Sequence, residues 1–541
     1  MAGMADRRTI LILGAGTMQL PPIRAARRMG LRVIVADGNP AAVGREEADQ
    51  FLHVDLKETD AMVDAARAVA REHGLDAVFT AGTDFSATVA YVAEKLGLPG
   101  TTLDAALNAT DKFRMRGVLK SAGVAVPEFA LIDERGLADS TISRDIRRLA
   151  LPVVVKPVDS MGARGVVRAD DWDQVIDYAR TAVDYSRTRR VIVEEFIDGP
   201  EFSIDALVYA GTIQITGFAD RHIVFPPYFI EIGHTLPTAL PQSDQEAIIA
   251  EFERAVRALG IGPGAAKGDM KLSARGPVVG EIAARLSGGY MSGWTYPLAT
   301  GVNLSEAAIR IALGEPPGAI RPRWNRTSAE RAVVSIPGVI ERVDGVDAAR
   351  AVTGVEELFL LRGSGDAIQF PRNNVEKAAN VIAVRDTRDA ATDAAMQAVA
   401  SIEVVLTPAN DATDRFLFGA KPDSVPYAYE PRKHAPGGLP IGVMDTIDAS
   451  ADSLAAWSAA RAAARENRDR LPIKISSRAF DALVDAPDWS GRTLASTVHR
   501  LCETGVLEMH DATNNRAVDR LFVQAVARGG LQGGRYTARS L

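Results

Sequence analysis

Lys267-Gly268-Asp269-Met270-Lys271-Leu272 and Pro277-Val278-Val279-Gly280-Glu281-Ile282 are two short strand-like runs joined by the turn Ser273-Ala274-Arg275-Gly276, and Ala283-Ala284-Arg285 follows them. A tight turn between two strands sets their residues side by side, so Asp269 and Glu281 are expected to present converging carboxylates. Two clustered carboxylates with a guanidinium nearby suit Mg²⁺-assisted phosphoryl transfer. The hard cation takes oxygen ligands and keeps waters and substrate phosphates. The arginine stabilises negative charge on the transferred group. A plain hairpin with solvated acids would show the same residues, so the rest of the chain has to decide between the two.

Composition narrows the classes. The chain has 541 residues, 47% hydrophobic and 24% charged, ordinary globular material sufficient for about three to four domains. Its net charge is −7 and it has no basic block, so no nucleic-acid partner is expected. The single cysteine, Cys502, excludes an internal disulfide framework and a cysteine-based metal site, and it fits a reducing cytoplasm. The start, Met1-Ala2-Gly3-Met4-Ala5-Asp6-Arg7-Arg8, lacks the length and cleavage pattern of a signal peptide. No run of about eighteen apolar residues occurs, so no membrane span is expected.

Working outward, residues 8–100 alternate apolar runs with amphipathic stretches. Thr9–Leu13, Arg32–Ala36, Phe51–Val54 and Ala77–Thr80 read as buried parallel strands, and Pro22–Met29, Asp60–His73 and Ser86–Leu96 as crossover helices. That pattern predicts a doubly wound α/β domain over residues 1–110. Gly14-Ala15-Gly16 and Asp37 invite a dinucleotide reading, but Gln19 stands where the fingerprint needs glycine. Asp111–Ser121 reads as a helix. A second domain is expected over 111–325, with a glycine-loop lid at about 125–200, and an α/β part over 326–405 in which Val333–Pro337 and Val381–Val384 are strand-like and Ala390–Ile402 is helical. The Pro/Gly-rich stretch Gly419–Gly442 suggests a linker, drawn over 406–442, before a small, mainly helical region over 443–541. Its clearest helices are Ser453–Arg465 and Leu494–Thr504.

Three further segments carry chemistry. Leu151-Pro152-Val153-Val154-Val155-Lys156-Pro157 is a strand ending in a lysine, followed by Val158-Asp159-Ser160-Met161-Gly162-Ala163-Arg164-Gly165. Such a loop lets backbone N–H groups cradle phosphates, because glycine permits positive φ. It is not a Walker A loop, which needs a terminal Gly-Lys-Ser/Thr. Arg190–Ile197 is an apolar strand turning acidic at Glu194-Glu195. Its hinge offers an adenine ring backbone donors and acceptors, and Glu201 lies close enough in sequence to accept from ribose hydroxyls. Phe229-Ile230-Glu231-Ile232-Gly233-His234 places an acid and an imidazole three residues apart.

Together these segments resemble the ATP-grasp superfamily, in the branch of biotin carboxylase, carbamoyl-phosphate synthase large subunits and bacterial L-amino-acid ligases. The resemblance covers about residues 8–405 and rests on motif order: the N-terminal domain, Asp111-Lys112-Phe113, Val155-Lys156-Pro157, the glycine loop, the Glu194–Ile197 hinge and the Asp269/Glu281/Arg285 cluster. Pro227–His234 and Arg285-Leu286-Ser287-Gly288-Gly289 look most like the amino-acid ligases. The resemblance implies an α/β and α+β ATP-grasp fold with an N-terminal pre-ATP-grasp domain and an extra C-terminal helical region. It implies ATP and Mg²⁺ (or Mn²⁺) as cofactors. Lys112 and Lys156 would bind phosphates, and Ser160, Met161, Gly162 and Ala163 would form the flap over them. Glu194, Glu195, Phe196 and Ile197 would meet adenine, Glu201 the ribose, and Asp269 and Glu281 the metal. Arg285, Lys156 and His234 would be the catalytic set, with His234 facing the carboxylate. Two departures stand out: many members carry Asn where this chain has Ala283, and Glu where it has Asp269.

The implied reaction is ligation of a small carboxylate to an amine. Bicarbonate as the carboxylate, or a regulator that has lost catalysis, remain the alternatives. The residues around the substrates would be His222, Phe229, His234, Tyr290, Trp294 and Tyr296. A homodimer is possible, and a helix-turn-helix near Thr504-Gly505-Val506 has no basic face to support it.

Overall fold

A computed structural model describes residues 7–132, 136–137, 144–419, 452–466, 473–475, 490–491, 499, 501, 507–509 and 517–540. The chain divides into two compact units, one of residues 1–222, 234–329 and 384–388, the other of residues 223–233, 330–383 and 389–541.

The first unit opens with β1 (Thr9–Leu13), α1 (Leu20–Arg28), β2 (Arg32–Asp37), β3 (Gln50–His53), α2 (Thr59–His73), β4 (Ala77–Phe79) and α3 (Ser86–Leu96). The strands pair in parallel in the order β3-β2-β1-β4. All of β1 is buried, as a central strand covered on both faces must be. The predicted elements of this region are all present. Gln19, the residue in the glycine position, turns its side chain against Gly14 and donates to the Ala81 carbonyl.

Helices α4 (Leu103–Thr110) and α5 (Lys112–Ser121) follow, and the Asp111 side chain caps α5 by accepting from the Arg114 N–H. Next come β5 (Phe129–Ile132), β6 (Val153–Pro157), β7 (Val167–Ala169), α6 (Trp172–Ala182) and β8 (Val191–Glu195). These strands form a separate antiparallel sheet, β5-β8-β6-β7. Val153, Val155, Val175, Ala179, Val191 and Val193 give it a core of its own.

Strands β9 (Glu201–Tyr209), β10 (Thr212–Val224), β11 (Ile230–Leu236), helix α7 (Gln242–Ala258), and strands β12 (Gly264–Ser273) and β13 (Gly276–Ala283) follow. Within this unit β13, β12, β9 and β10 are neighbours in that order. Side chains on a strand alternate between faces. Phe202, Ile204 and Ala206 of β9 and Ala266 and Met270 of β12 therefore share a core with Ile248 and Phe252 of α7. The opposite parity, Ser203, Asp205, Lys267 and Asp269, faces away from that core. Helix α8 (Leu304–Ala312) packs with β1, β2 and α1 in another core.

The second unit holds most of β14 (Thr327–Val333), then β15 (Gly338–Asp344), β16 (Val355–Leu360), β17 (Ala367–Ile368), β18 (Ala379–Arg385), α9 (Arg388–Ser401), β19 (Glu403–Leu406), α10 (Asp411–Phe418), α11 (Asp452–Glu466), β20 (Ile473–Ile475), β21 (Leu507–Met509) and α12 (Ala517–Ser540). Strand β15 lies between β17 and β19, and β16 pairs with β18.

Two expectations are corrected here. The strand expected at Val333–Pro337 lies earlier in the chain, at Thr327–Val333. The linker expected over 406–442 begins instead with α10, whose Asn410 cap accepts from the N–H groups of Ala412 and Thr413. Residues 420–442 lie outside the described residues. The described part of the C-terminal region is mainly helical, as expected, and also holds β20 and β21, which pair in parallel. Its helices α11 and α12 are tied to α10 through Asp414, which accepts from Trp457 Nε1 at 2.8 Å and the Tyr536 hydroxyl at 2.6 Å. Most of Leu494–Thr504, and the turn at 504–506, lie outside the described residues. No described helix is long and apolar enough to cross a membrane.

Candidate active site

The acid pair is built by register. Asp269 on β12 stands directly opposite Glu281 on β13, and the register shifts immediately afterwards. The extra residue is Gly280, a β-bulge that turns Glu281 to the face of Asp269 while Val279 and Ile282 stay in the core. A Cβ at Gly280 would lie 2.9 Å from the Asp269 carbonyl oxygen, so only glycine fits.

Cations surround the pair. Lys112 Nζ lies 3.4 Å from Glu281 Oε1 and donates to the Ser160 carbonyl at 2.6 Å, linking the acid to the glycine loop. Lys267 pairs with Asp269 Oδ2. Arg221 Nη1 lies 2.9 Å from Asp269 Oδ1 and 3.2 Å from Glu201 Oε2. Burial would raise the Glu281 carboxyl, but Lys112, Lys267, Lys156 and Arg285 hold it down to about 2. It is therefore ionised throughout the working range.

Arg285 is buried. Its Nε donates to the Thr83 carbonyl at 2.9 Å and its Nη1 to the Leu286 carbonyl at 2.9 Å, and Nη2 lies 3.7 Å from Met161 Sδ in the glycine loop. The neighbouring Arg164 donates to Asp84 at 2.5 Å. The loop between β4 and α3 thus holds both Arg285, through Thr83, and the flap, through Asp84. Gly82 of that loop meets Gly288, and a Cβ at Gly82 would lie 2.9 Å from the Gly288 Cα. Gly82 also sits at φ +60°. Gly82→Ala is expected to lower stability by about 1–3 kcal/mol through overpacking and backbone strain. Urea unfolding measures this, and an unchanged midpoint would contradict the close approach.

The hinge acid is not solvated. Glu194 is 2% exposed and bonds Arg116 Nε at 2.8 Å and Lys156 Nζ at 2.5 Å. Burial opposes its charge, yet Arg116 and Lys156 hold its carboxyl below the usual range. Arg116 Nη2 also donates to the Gly280 carbonyl at 2.6 Å. One buried guanidinium therefore connects the hinge to the bulge. Lys156 is drawn to the hinge and Lys112 to the acid pair, so the two expected phosphate lysines occupy distinct places. Beyond the hinge, Arg275 binds Glu195 at 2.8 Å, Phe196 lies beneath Arg168 and Lys271, and Ile197 is buried. In the flap, Ser160 is buried, and Gly162 and Ala163 both take positive φ.

Asp205 was not singled out in the sequence. It is fully buried on β9 and accepts from the Ser287 N–H at 3.0 Å and the Ser287 hydroxyl at 2.5 Å. Burial pushes its carboxyl up to about 6, against the pull of Ser287, Lys267 and Arg285. A folded value above the ordinary 3.8 means that its contribution to stability is full below 3.8 and is lost as pH rises through about 6. The loss amounts to about 3 kcal/mol. Asp205→Asn is expected to gain Tm relative to the native protein as pH rises through that window. Parallel Tm profiles would sink this.

His234 is buried, with its Nε2 2.7 Å from Thr295 Oγ1 on a turn of π-helix, Met291–Thr295. His222 meets Thr235 at 3.0 Å. Tyr290 and Trp294 meet edge to face, and Tyr296 packs in the core with β1. Phe229 belongs to the second unit. Arg116, Asp205, Lys267 and Arg221 are the site residues sequence reasoning missed. Arg116 had one available signal, since it lies four residues after Lys112 on the same helix face.

Asp269 Oδ1 is buried and makes no hydrogen bond of acceptable geometry, despite the Arg221 guanidinium beside it. A buried carboxylate oxygen left open beside a second carboxylate suits a divalent cation.

An ATP-grasp domain family model matches residues 149–293, an ATP-grasp N-terminal domain matches 23–100, and an L-amino acid ligase C-terminal domain 2 matches 332–407. The chain belongs to the ATP-grasp superfamily. Within it, the chain's C-terminal match is to a domain of the L-amino acid ligases. This ATP-grasp chain is 27% identical to an uncharacterized protein of Sinorhizobium fredii, over 75% of this chain and 84% of that one. It is 26% identical to mouse carnosine synthase 1 over 58% of this chain, but spans only 40% of that protein's length. The crystal structure of an L-amino acid ligase from Bacillus licheniformis superposes with a TM-score of 0.64 at 25% identity, covering 74% of this chain and all of that one.

Proposed function

We propose that this ATP-grasp protein activates a small carboxylate, an amino acid or related acid, as an acyl phosphate and joins it to an amine, releasing ADP and phosphate. The observation that carries the reading is the cross-strand pair Asp269/Glu281, with Lys112 joining Glu281 to the glycine loop. A carboxylate is a poor acyl donor because its leaving group would be oxide. When its oxygen attacks the γ-phosphorus and ADP departs, the acyl carbon acquires phosphate as leaving group. The amine nitrogen then attacks that carbon and phosphate leaves.

The chain's own residues supply alignment, charge and exclusion of water. Lys112 and Lys156 offer positive charge for phosphates, and the hinge around Glu194, Glu195, Phe196 and Ile197 offers backbone groups for adenine. Glu201 is placed for ribose. A Mg²⁺ or Mn²⁺ held by Asp269 and Glu281 would neutralise charge on the phosphates. Arg285, near the flap residue Met161, offers charge to the transferring group. Arg164 pairing with Asp84 suits a lid held shut while a water-sensitive intermediate exists. The likeness to carnosine synthase and L-amino acid ligase supports an amino acid among the substrates.

The test is ADP release from Mg-ATP across a matrix of amino acids and other small carboxylates, with and without amines. Release requiring both a carboxylate and an amine is expected. Release with bicarbonate alone would replace the reading with a carboxylase-type reaction, and ATP binding without any release would defeat it.

A further inference from the structure

On β12 the alternation of side chains puts Lys267 on the same face as Asp269, and so on the face that carries Glu281. Two strands flank Lys267. On β13 its partner is Ala283, whose methyl has no oxygen to offer a cation. On β9 its partner is Asp205, both of whose carboxylate oxygens already accept from Ser287. Lys267 itself pairs with Asp269 Oδ2, while Oδ1 makes no hydrogen bond of acceptable geometry and has the Arg221 guanidinium 2.9 Å away. Among the described residues, no group of three or more His, Cys, Asp or Glu gathers that would hold an ion.

A divalent cation needs several oxygen ligands, and what the protein does not supply must come from water and phosphate. One ion would be held by the Asp269 and Glu281 carboxylates, displacing the Arg221 guanidinium from Asp269 Oδ1. A second ion would have to find oxygen where the chain places the Ala283 methyl, next to an ammonium group that repels it. Charge repulsion at short range is strong where water is scarce. The ammonium is held by Asp269, and the Lys267 side chain is only 15% exposed.

We infer that the site takes one divalent cation per chain, between Asp269 and Glu281, and that the Lys267 ammonium occupies the place and supplies the positive charge of a second. This rests on the ATP-dependent reading above. Lys267 is then a positioning charge supplied by the fold, in a site where the neighbouring Ala283 provides no ligand.

The experiment counts Mn²⁺ bound to the full chain in the presence of adenylyl imidodiphosphate, by calorimetry and by electron paramagnetic resonance. The native protein is expected to bind one Mn²⁺ per chain, with no spin-coupled signal. The double variant Lys267→Ala/Ala283→Asn, which removes the ammonium and adds an amide oxygen across the strand, is expected to bind two and show the coupled spectrum. Lys267→Gln, nearly isosteric, checks that any change in the count follows the charge rather than loss of fold, and it is expected to weaken the exclusion of the second ion. Two ions in the native complex, or an unchanged count in a double variant that still binds the nucleotide, would overturn the inference. Failure of the native chain to bind the nucleotide at all would overturn the ATP reading itself, which separates the two.

Discussion

Arg116→Met is expected to cost about 3–5 kcal/mol of stability, the scale of breaking a buried ion pair from one side. Arg116 is fully buried and makes both of its Glu194 contacts, at 2.8 and 3.2 Å, as well as the bond to the Gly280 carbonyl. Methionine fills much of the volume but leaves Glu194 with Lys156 alone, and it orphans the bulge carbonyl that orients Glu281. The loss should therefore appear in two readouts. Urea unfolding should report the drop in stability, and nucleotide affinity should fall because hinge and bulge are no longer tied. Glu194→Gln on top of Arg116→Met should lose less than the two single changes combined, since the uncompensated charge is then gone. A single-variant loss below about 1 kcal/mol, the level of an exposed pair, would refute the role assigned to the triad.

Arg285→Ala and Glu281→Ala are each expected to lower turnover by at least about 10²-fold, the scale of removing one preorganised charge from a reacting centre. The two should differ in stability. Arg285 holds the Thr83 and Leu286 carbonyls, so its removal also loosens the contact with the N-terminal domain. Glu281 is a carboxylate among four cations, and its low folded pKa stabilises the protein above the usual 4.5, a contribution lost only as pH falls through about 2. Glu281→Ala should therefore be less stable than the native protein at neutral pH, with the difference shrinking in acid. Single-turnover ADP formation at saturating ATP separates lost chemistry from lost binding. Near-native rates in either variant with the true substrates would refute the assignment.

Much of the site was legible because it is local. Lys112 follows a helix cap, Lys156 ends an apolar strand, and Asp269 and Glu281 face each other across a short turn. The strand lysine and the acid pair follow from a period or a turn signal within about ten residues, whereas Lys112 was singled out only by the resemblance. Lys267 carried the same signal, two residues before Asp269, but its meaning depended on which residue stood beside it. The linker was misplaced because the Pro/Gly-rich composition begins at Gly419, after the helix Asp411–Phe418 has formed.

The sequence by itself determined the parallel strands of the N-terminal domain, the helices between them, the hairpin that bears the acid pair and the strand before the glycine loop. Hydrophobic periodicity and turn chemistry are properties of neighbouring residues. Tertiary structure alone decided that Arg116 reaches Gly280 across 164 residues, that Ser287 finds Asp205 across 82, and that Arg285 reaches Thr83 across 202. It also decided that Lys267 stands between Ala283 and Asp205. Those contacts depend on strand order, register and one bulge, which are set by how distant faces bury together rather than by any spacing along the chain.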